Sequence, residues 1–210
     1  MTALTLPVSL PATGAGTAGD PRGPCLAAGT FRGIVAMDDT FLPLVTNPQV
    51  LPTLVALLSA NLHLMSSNLI HMPSIPPGGT RTIRVPARHG WHRDMSTAAR
   101  DLGTGGVPRM AIKAAYFLSD PTPDAGVTMV LPGSHTDTGP VTVPAGAIDP
   151  PGAITPDLEP CDVLLFENRT WHAGGLNTSG RPRLAVMMQY GYRWLAAVDD
   201  PAPTCWTARS

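Results

Sequence analysis

Glycine and proline, 21 and 24 of them in 210 residues, are spread along the whole chain. Proline interrupts a helical ladder and glycine weakens one, so the composition argues against a helical bundle and for many short elements joined by turns. With 43% hydrophobic residues the chain is long enough to bury the core of one globular domain without staples. A stretch over 1–29 carries Pro7, Pro11, Gly14, Gly16, Gly19, Pro21, Gly23 and Pro24 without a hydrophobic period, and reads as a flexible Gly/Pro-rich arm before a single domain over 30–210. Asn47 and Pro48 make an N-cap and first turn, after which Val50, Leu51, Leu54, Val55, Leu57 and Leu58 recur at helical spacing. Beyond this one helix the period changes to that of strands. Segments 61–72, 80–86, 109–118, 126–131, 141–143, 162–167 and 182–192 are short, rich in β-branched or alternating apolar residues, and mostly bounded by turn signals. The pattern is that of an all-β core: a sandwich, jelly roll or small barrel with a covering helix.

Charge narrows the function classes. The net charge is −1 and the basic residues are scattered, so the electrostatic footprint of a nucleic-acid binder is missing. Lys113 is the only lysine among the 14 basic residues. Cys25, Cys161 and Cys205 are too few and too widely spaced for a disulfide framework or a zinc cluster, and read as free thiols of a reducing compartment. Residues 1–19 lack the basic start of a secretory signal, and no apolar run approaches the roughly 20 residues of a membrane span. Cytoplasmic location is the expectation, with no membrane partner.

The chemistry gathers around Gly90-Trp91-His92-Arg93-Asp94. In an extended segment His92 and Asp94, at i and i+2, project to the same face and can reach one metal ion. Phe166-Glu167-Asn168-Arg169-Thr170-Trp171-His172 supplies a third ligand, His172, after an apolar strand. Two imidazoles and a carboxylate on one face of an octahedral iron leave three positions for a co-substrate and dioxygen. Taken alone, His-x-Asp is also an ordinary surface pair. Arg183, eleven positions past His172 at the head of the next apolar run, offers a fork for a carboxylate such as an oxo-acid co-substrate would bring.

With these residues the chain resembles the phytanoyl-CoA dioxygenase family of Fe(II)/2-oxoglutarate-dependent oxygenases. The resemblance is carried in order by Trp91-His92-Arg93-Asp94, Tyr116-Phe117-Leu118-Ser119-Asp120, Val130-Leu131-Pro132-Gly133-Ser134-His135, Asp162-Val163-Leu164-Leu165-Phe166, and His172 to Asn177 with Ser179 to Arg183. It covers roughly residues 45–193. It implies a double-stranded β-helix, or cupin-like jelly roll, with covering helices, Fe(II) on His92, Asp94 and His172, and Arg183 on the distal carboxylate of 2-oxoglutarate, with O2 as second co-substrate. The chain departs from the family in its short N-terminal region, in Gly174 where a hydroxyl residue often helps hold 2-oxoglutarate, and in Cys161 where a turn glycine commonly stands.

The family register turns Lys113, Ala115 and Phe117 inward, making Lys113 either a partner for a co-substrate or substrate carboxylate or a rim lysine. Trp91, Arg93 and Trp171 flank the ligands and are candidates for the substrate pocket, although packing alone explains the tryptophans. His135 reads as a histidine tying a turn together, and His63, His71 and His89 as structural histidines. His92-Arg93-Asp94 also opens a protein-kinase catalytic loop, but the Asn, Asp-Phe-Gly and Gly-rich loop of a kinase are absent. The remaining alternatives are a cupin-type isomerase, epimerase or cyclase on the same iron, and a non-catalytic small-molecule-binding barrel. The expected reaction is hydroxylation of a free small molecule, in secondary metabolism, with release of succinate and CO2. Arg81, Arg84, Arg88 and Arg93 are the one local basic concentration that would turn the expectation toward an anionic substrate.

Overall fold

The alternating apolar residues form two antiparallel sheets. The structure is a computed structural model and describes residues 3–7, 29–75, 90–94, 96–102, 108–137 and 139–199. Among them the strands are β1 (Ala3–Pro7), β2 (Gly29–Arg32), β3 (Leu62–Met72), β4 (Ala111–Phe117), β5 (Thr128–Val130), β6 (Asp162–Glu167), β7 (His172–Gly174) and β8 (Arg183–Tyr192). The larger sheet runs β1-β6-β4-β8-β3-β2, and the smaller pairs β5 with β7. Single bridges His92 to His172, Ala125 to Asn177 and Val130 to Ile154 widen the smaller sheet.

Period-2 parity decides what each face of the larger sheet meets. Ile112, Ala114 and Tyr116 of β4, Val163 and Leu165 of β6, and Val186, Met188 and Tyr190 of β8 share a core with Ile34, Leu44, Val50, Leu54 and Leu58. The last five come from the helical cover, which consists of α1 (Ile34–Met37), α2 (Leu42–Val45) and α3 (Leu51–Leu57) with their flanks; α4 (Ser96–Leu102) follows the His-x-Asp segment. The alternate residues Ala115, Phe117, Leu164, Phe166, Ala185 and Met187 form a second core with Val130 of the smaller sheet and Val127 just before it. This is the all-β double-stranded β-helix with covering helices. Two buried phenols fasten the cover: Tyr116 Oη donates to Leu44 O at 3.0 Å and Tyr190 Oη to Val45 O at 2.9 Å. Burial pushes both phenol pKa values up, so each stays a donor.

The elements differ from the sequence expectation in four places. The helix begins at Leu51, not Pro48: Asn47 Oδ1 accepts from Gln49 N at 2.9 Å in a tight turn, and Pro52 has no N–H with which to extend the ladder backward. Residues 141–143, between Pro140 and Pro144, form no strand, because both flanking residues lack a backbone donor. Within the stretch read as an arm, Ala3–Pro7 adds to the sheet edge, Ala3 opposite Phe166 and Pro7 opposite Asp162; a long-range pairing of this kind leaves no local signature. The unexpected β2 and β7 are short, at four and three residues. Segment 80–86 lies outside the described residues. Among the described residues no helix is long and apolar enough to cross a membrane.

Candidate metal centre

The segment Gly90 to Asp94 runs beside the start of β7. His92 N donates to His172 O and His172 N to His92 O, both at 3.0 Å, and Asp94 N donates to Asn168 O at 3.0 Å. These bonds set His92 opposite His172 and keep the segment extended, so that Asp94 projects on the side of His92. One donor atom from each of His92, Asp94 and His172 lies within 4.8 Å of the others. Nδ1 of His92 is 2.8 Å from Gly90 O, and Nδ1 of His172 is 2.9 Å from Thr170 O. A carbonyl only accepts, so each Nδ1 carries a proton, and in the neutral ring the lone pair that can bind a metal is then on Nε2.

His172 is buried, and burial holds its imidazole pKa well below the usual histidine range although the Asp94 carboxylate pulls the other way. It is neutral at pH 7, the form in which nitrogen binds a metal. Phe166 packs on its ring with centroids 4.8 Å apart. Asp94 Oδ2 lies 3.5 Å from His172 Nε2, and Oδ1 lies 4.0 Å from His92 Nε2. Lys113 enters from β4 on the inward parity expected of it, and its Nζ stands 2.7 Å from Asp94 Oδ2. The donor set, two imidazoles and a carboxylate, suits a non-haem Fe(II) centre.

Arg183 opens β8 and is 2% exposed. One guanidinium N–H donates to Gly126 O at 2.7 Å, whereas Nε has no hydrogen-bond partner among the described residues. Burial pulls its pKa down to about 10, which still leaves a cation at pH 7. A buried cation with an unused donor is fitted to receive an anion. Its carbonyl partner depends on a glycine: Gly126 has φ 75°, and a Cβ there would stand 2.6 Å from Gly175 O.

The flanking residues are arranged differently from one another. Trp91 Nε1 donates to Asp149 Oδ1 at 2.8 Å. Arg93 donates to Ser134 O and, at 2.7 Å, to Asp137 O, and its guanidinium lies 4.8 Å over the Trp171 ring. Those carbonyls belong to the turn that holds His135, and the same turn meets β7 where Ser134 Oγ accepts from Trp171 N at 2.9 Å. His63 and His71 lie on β3, outside the triad. Cys161 is exposed and has φ 76°, the left-handed backbone that a glycine adopts freely. His89, Arg81, Arg84, Arg88, Cys25 and Cys205 lie outside the described residues.

Three polar features were not anticipated. Glu167 accepts from Arg109 Nε at 2.7 Å and from Arg169 at the end of β6. Asn68 and Gln189 occupy inward positions opposite Met187 and Lys113. The register places Asn68 inward only because of a bulge between Leu64 and Ser66, a feature without a marker in the local sequence.

A family profile described as phytanoyl-CoA dioxygenase matches residues 20–185. The uncharacterised protein Rv1501 of Mycobacterium tuberculosis is 29% identical over 163 residues, which is 77% of this chain and 55% of that protein. The chain thus spans about half the length of the curated relatives it matches. Among solved structures, EctD from S. alaskensis with 2-oxoglutarate and 5-hydroxyectoine is similar at TM-score 0.59 and 21% identity, covering 78% of this chain and 56% of that one. The epimerase SnoN in complex with Fe3+, alpha ketoglutarate and nogalamycin RO is similar at TM-score 0.58 and 24% identity, covering 83% of this chain and 70% of that one. Both are likenesses of fold.

Proposed function

The chain belongs to the phytanoyl-CoA dioxygenase family, and from that membership we propose that it is an Fe(II)/2-oxoglutarate-dependent dioxygenase that hydroxylates a small molecule with release of succinate and CO2. The observation that carries the reading is the convergence of His92, Asp94 and His172 within 4.8 Å, with each Nδ1 turned to a backbone carbonyl. Iron(II), 2-oxoglutarate and O2 are the cofactor and co-substrates of this chemistry. Bound iron supplies the site at which O2 is activated and 2-oxoglutarate is oxidatively decarboxylated.

The chain's own residues do the rest. His92, Asp94 and His172 hold the metal by one face, and Arg183 receives the far carboxylate of 2-oxoglutarate through the donors it does not spend on Gly126. Lys113 contributes positive charge beside that site. Trp91 and Trp171 line the approach, and Arg93 fixes Trp171 from above. Because Asp94 fills its position with a carboxylate, no protein position is free for a halide, and hydroxylation is favoured over halogenation.

A net charge of −1 supports a free small metabolite over a coenzyme A thioester or nucleic acid. A role in secondary metabolism in the cytoplasm accords with such a substrate. The test is anaerobic loading with Fe(II), followed by succinate formation with pools of free acids, alcohols and their coenzyme A esters. Succinate coupled to a hydroxylated product supports the reading. An epimerised, desaturated or cyclised product moves the reaction within the class, and turnover of the esters alone overturns the substrate preference.

A further inference from the structure

Arg183 Nε and Asp94 Oδ2 are withdrawn from solvent without a hydrogen-bond partner among the described residues, and the proposed 2-oxoglutarate and iron answer them. A third such atom, Asn68 Oδ1, is answered by neither. A dicarboxylate carries acceptors only and has no proton to give a carbonyl oxygen. Asn68 stands opposite Met187 on β8 and two residues before Ile70, which packs on the second core, so it shares their inner face. Two residues past Met187 on the same face is Gln189, 6% exposed and directly opposite Lys113, whose ammonium reaches Asp94. Gln189 Nε2 has Met65 Sδ at 3.8 Å as its hydrogen-bond partner, a weak acceptor on a flexible side chain. Gln189 also faces Ser66, two residues from Asn68. Diagonal neighbours of this kind are roughly 7–8 Å apart, close enough for one functional group to lie between two carboxamides.

We infer that Asn68 and Gln189 form the polar subsite for the substrate, and that it takes an uncharged group that both donates and accepts a hydrogen bond, a hydroxyl or a carboxamide. The inference rests on the reading that the triad binds iron, and it names the substrate class of that site. Asn68 Oδ1 needs a donor, and Gln189 Nε2 needs a better acceptor than a thioether. A carboxylate brings no proton for Asn68, and an ammonium brings no lone pair for Gln189. Either ion would leave one amide unpaired and lose its own hydration as well. A hydroxyl or a carboxamide serves both at once. Lys113 faces Gln189 across the strand pair and reaches Asp94 with its ammonium, so a group held by Gln189 lies beside the metal centre.

The experiment loads wild type, Asn68→Leu and Gln189→Met with Co(II) and 2-oxoglutarate without O2. It titrates in probes of one skeleton: para-fluorobenzyl alcohol, para-fluorobenzamide, para-fluorobenzoate and para-fluorobenzylamine. Broadening of the fluorine line by cobalt reads binding beside the metal. Wild type should bind the alcohol and the amide about 10-fold more tightly than the acid and the amine, and each variant should lose about 10-fold toward the alcohol and the amide while keeping one equivalent of Co(II). Gln189→Glu exchanges a donor for an acceptor and should turn the preference to the amine, a comparison that also serves if an apolar variant fails to fold. A wild-type preference for a charged probe, equal affinity for all of them, no broadening of any, or wild-type binding of the neutral probes by either variant overturns the inference. Failure of the underlying reading looks different, because wild type would then retain no Co(II). The subsite is in that case read from the side-chain amide resonance of Gln189, which with Gln49 makes up the glutamines of the chain. The alcohol or the amide should shift that resonance, and an unmoved resonance overturns the subsite too.

Discussion

His92 and His172 face each other across a single antiparallel bridge, exchanging both backbone hydrogen bonds at 3.0 Å, with ring centroids 4.2 Å apart. The two nitrogens aimed at a metal are thus set by backbone pairing between segments far apart in the chain. Each is then fixed in tautomer by a carbonyl two residues upstream, Gly90 or Thr170.

Removing a donor should empty the site while leaving the barrel intact. His172→Ala and Asp94→Ala are expected to retain no stoichiometric iron after anaerobic loading and desalting, against one equivalent for wild type. Metal analysis with circular dichroism of the same samples checks this, and full iron content in both variants would refute the assignment.

Arg183→Leu separates the two ends of the co-substrate. Iron binding should be unchanged, while the 2-oxoglutarate concentration needed for half-maximal succinate formation rises by about 100-fold, in keeping with loss of about 3 kcal/mol from a charge-assisted contact. An unaltered requirement would shift the role to another cation.

Gly126→Ala is expected to act on the same site indirectly. The added Cβ meets Gly175 O at 2.6 Å and Asn177 N at 2.9 Å on a backbone of φ 75°. Relieving it must move the carbonyl that holds Arg183. A stability loss of about 2 kcal/mol in denaturant titration, with weakened 2-oxoglutarate binding, is the expected result.

Glu167 sets an acid limit. Burial alone would raise its pKa, but hydrogen bonds from Arg169 and Arg109 prevail and hold it below 4.5. A depressed carboxylate pKa means that the unfolded chain takes up the proton first. The contribution is present above about pH 4.5 and is lost as the pH falls through the lower folded value. Denaturant midpoints measured from pH 6 downward should fall more steeply for wild type than for Glu167→Gln.

Much of the site was legible because its signals are local. His-x-Asp reads in an extended segment, His172 follows an apolar strand, and period 2 on β4 puts Lys113 on one face with Ala115 and Phe117, a face that the family register turns inward. What escaped depends on partners distant in sequence. Arg109 reaches Glu167 across 58 positions, β1 has meaning only as a neighbour of β6, and Asn68 turns inward only through the bulge at Met65. Nor does the sequence distinguish a lysine awaiting a ligand from one already seated on Asp94.

The loop from β7 to β8 is tied down by Asn177, which is 2% exposed; its Nδ2 donates to Met72 O at 3.0 Å and to Arg181 O at 2.8 Å, and its Oδ1 accepts from Ser179. This loop joins His172, at the metal end, to Arg183, at the far end. On the proposed reading the consequence is metric. The span between the two grips is fixed by pinned main chain, so the protein gauges the length of a dicarboxylate, and an oxo-diacid one methylene shorter or longer than 2-oxoglutarate would reach one grip only by leaving the other.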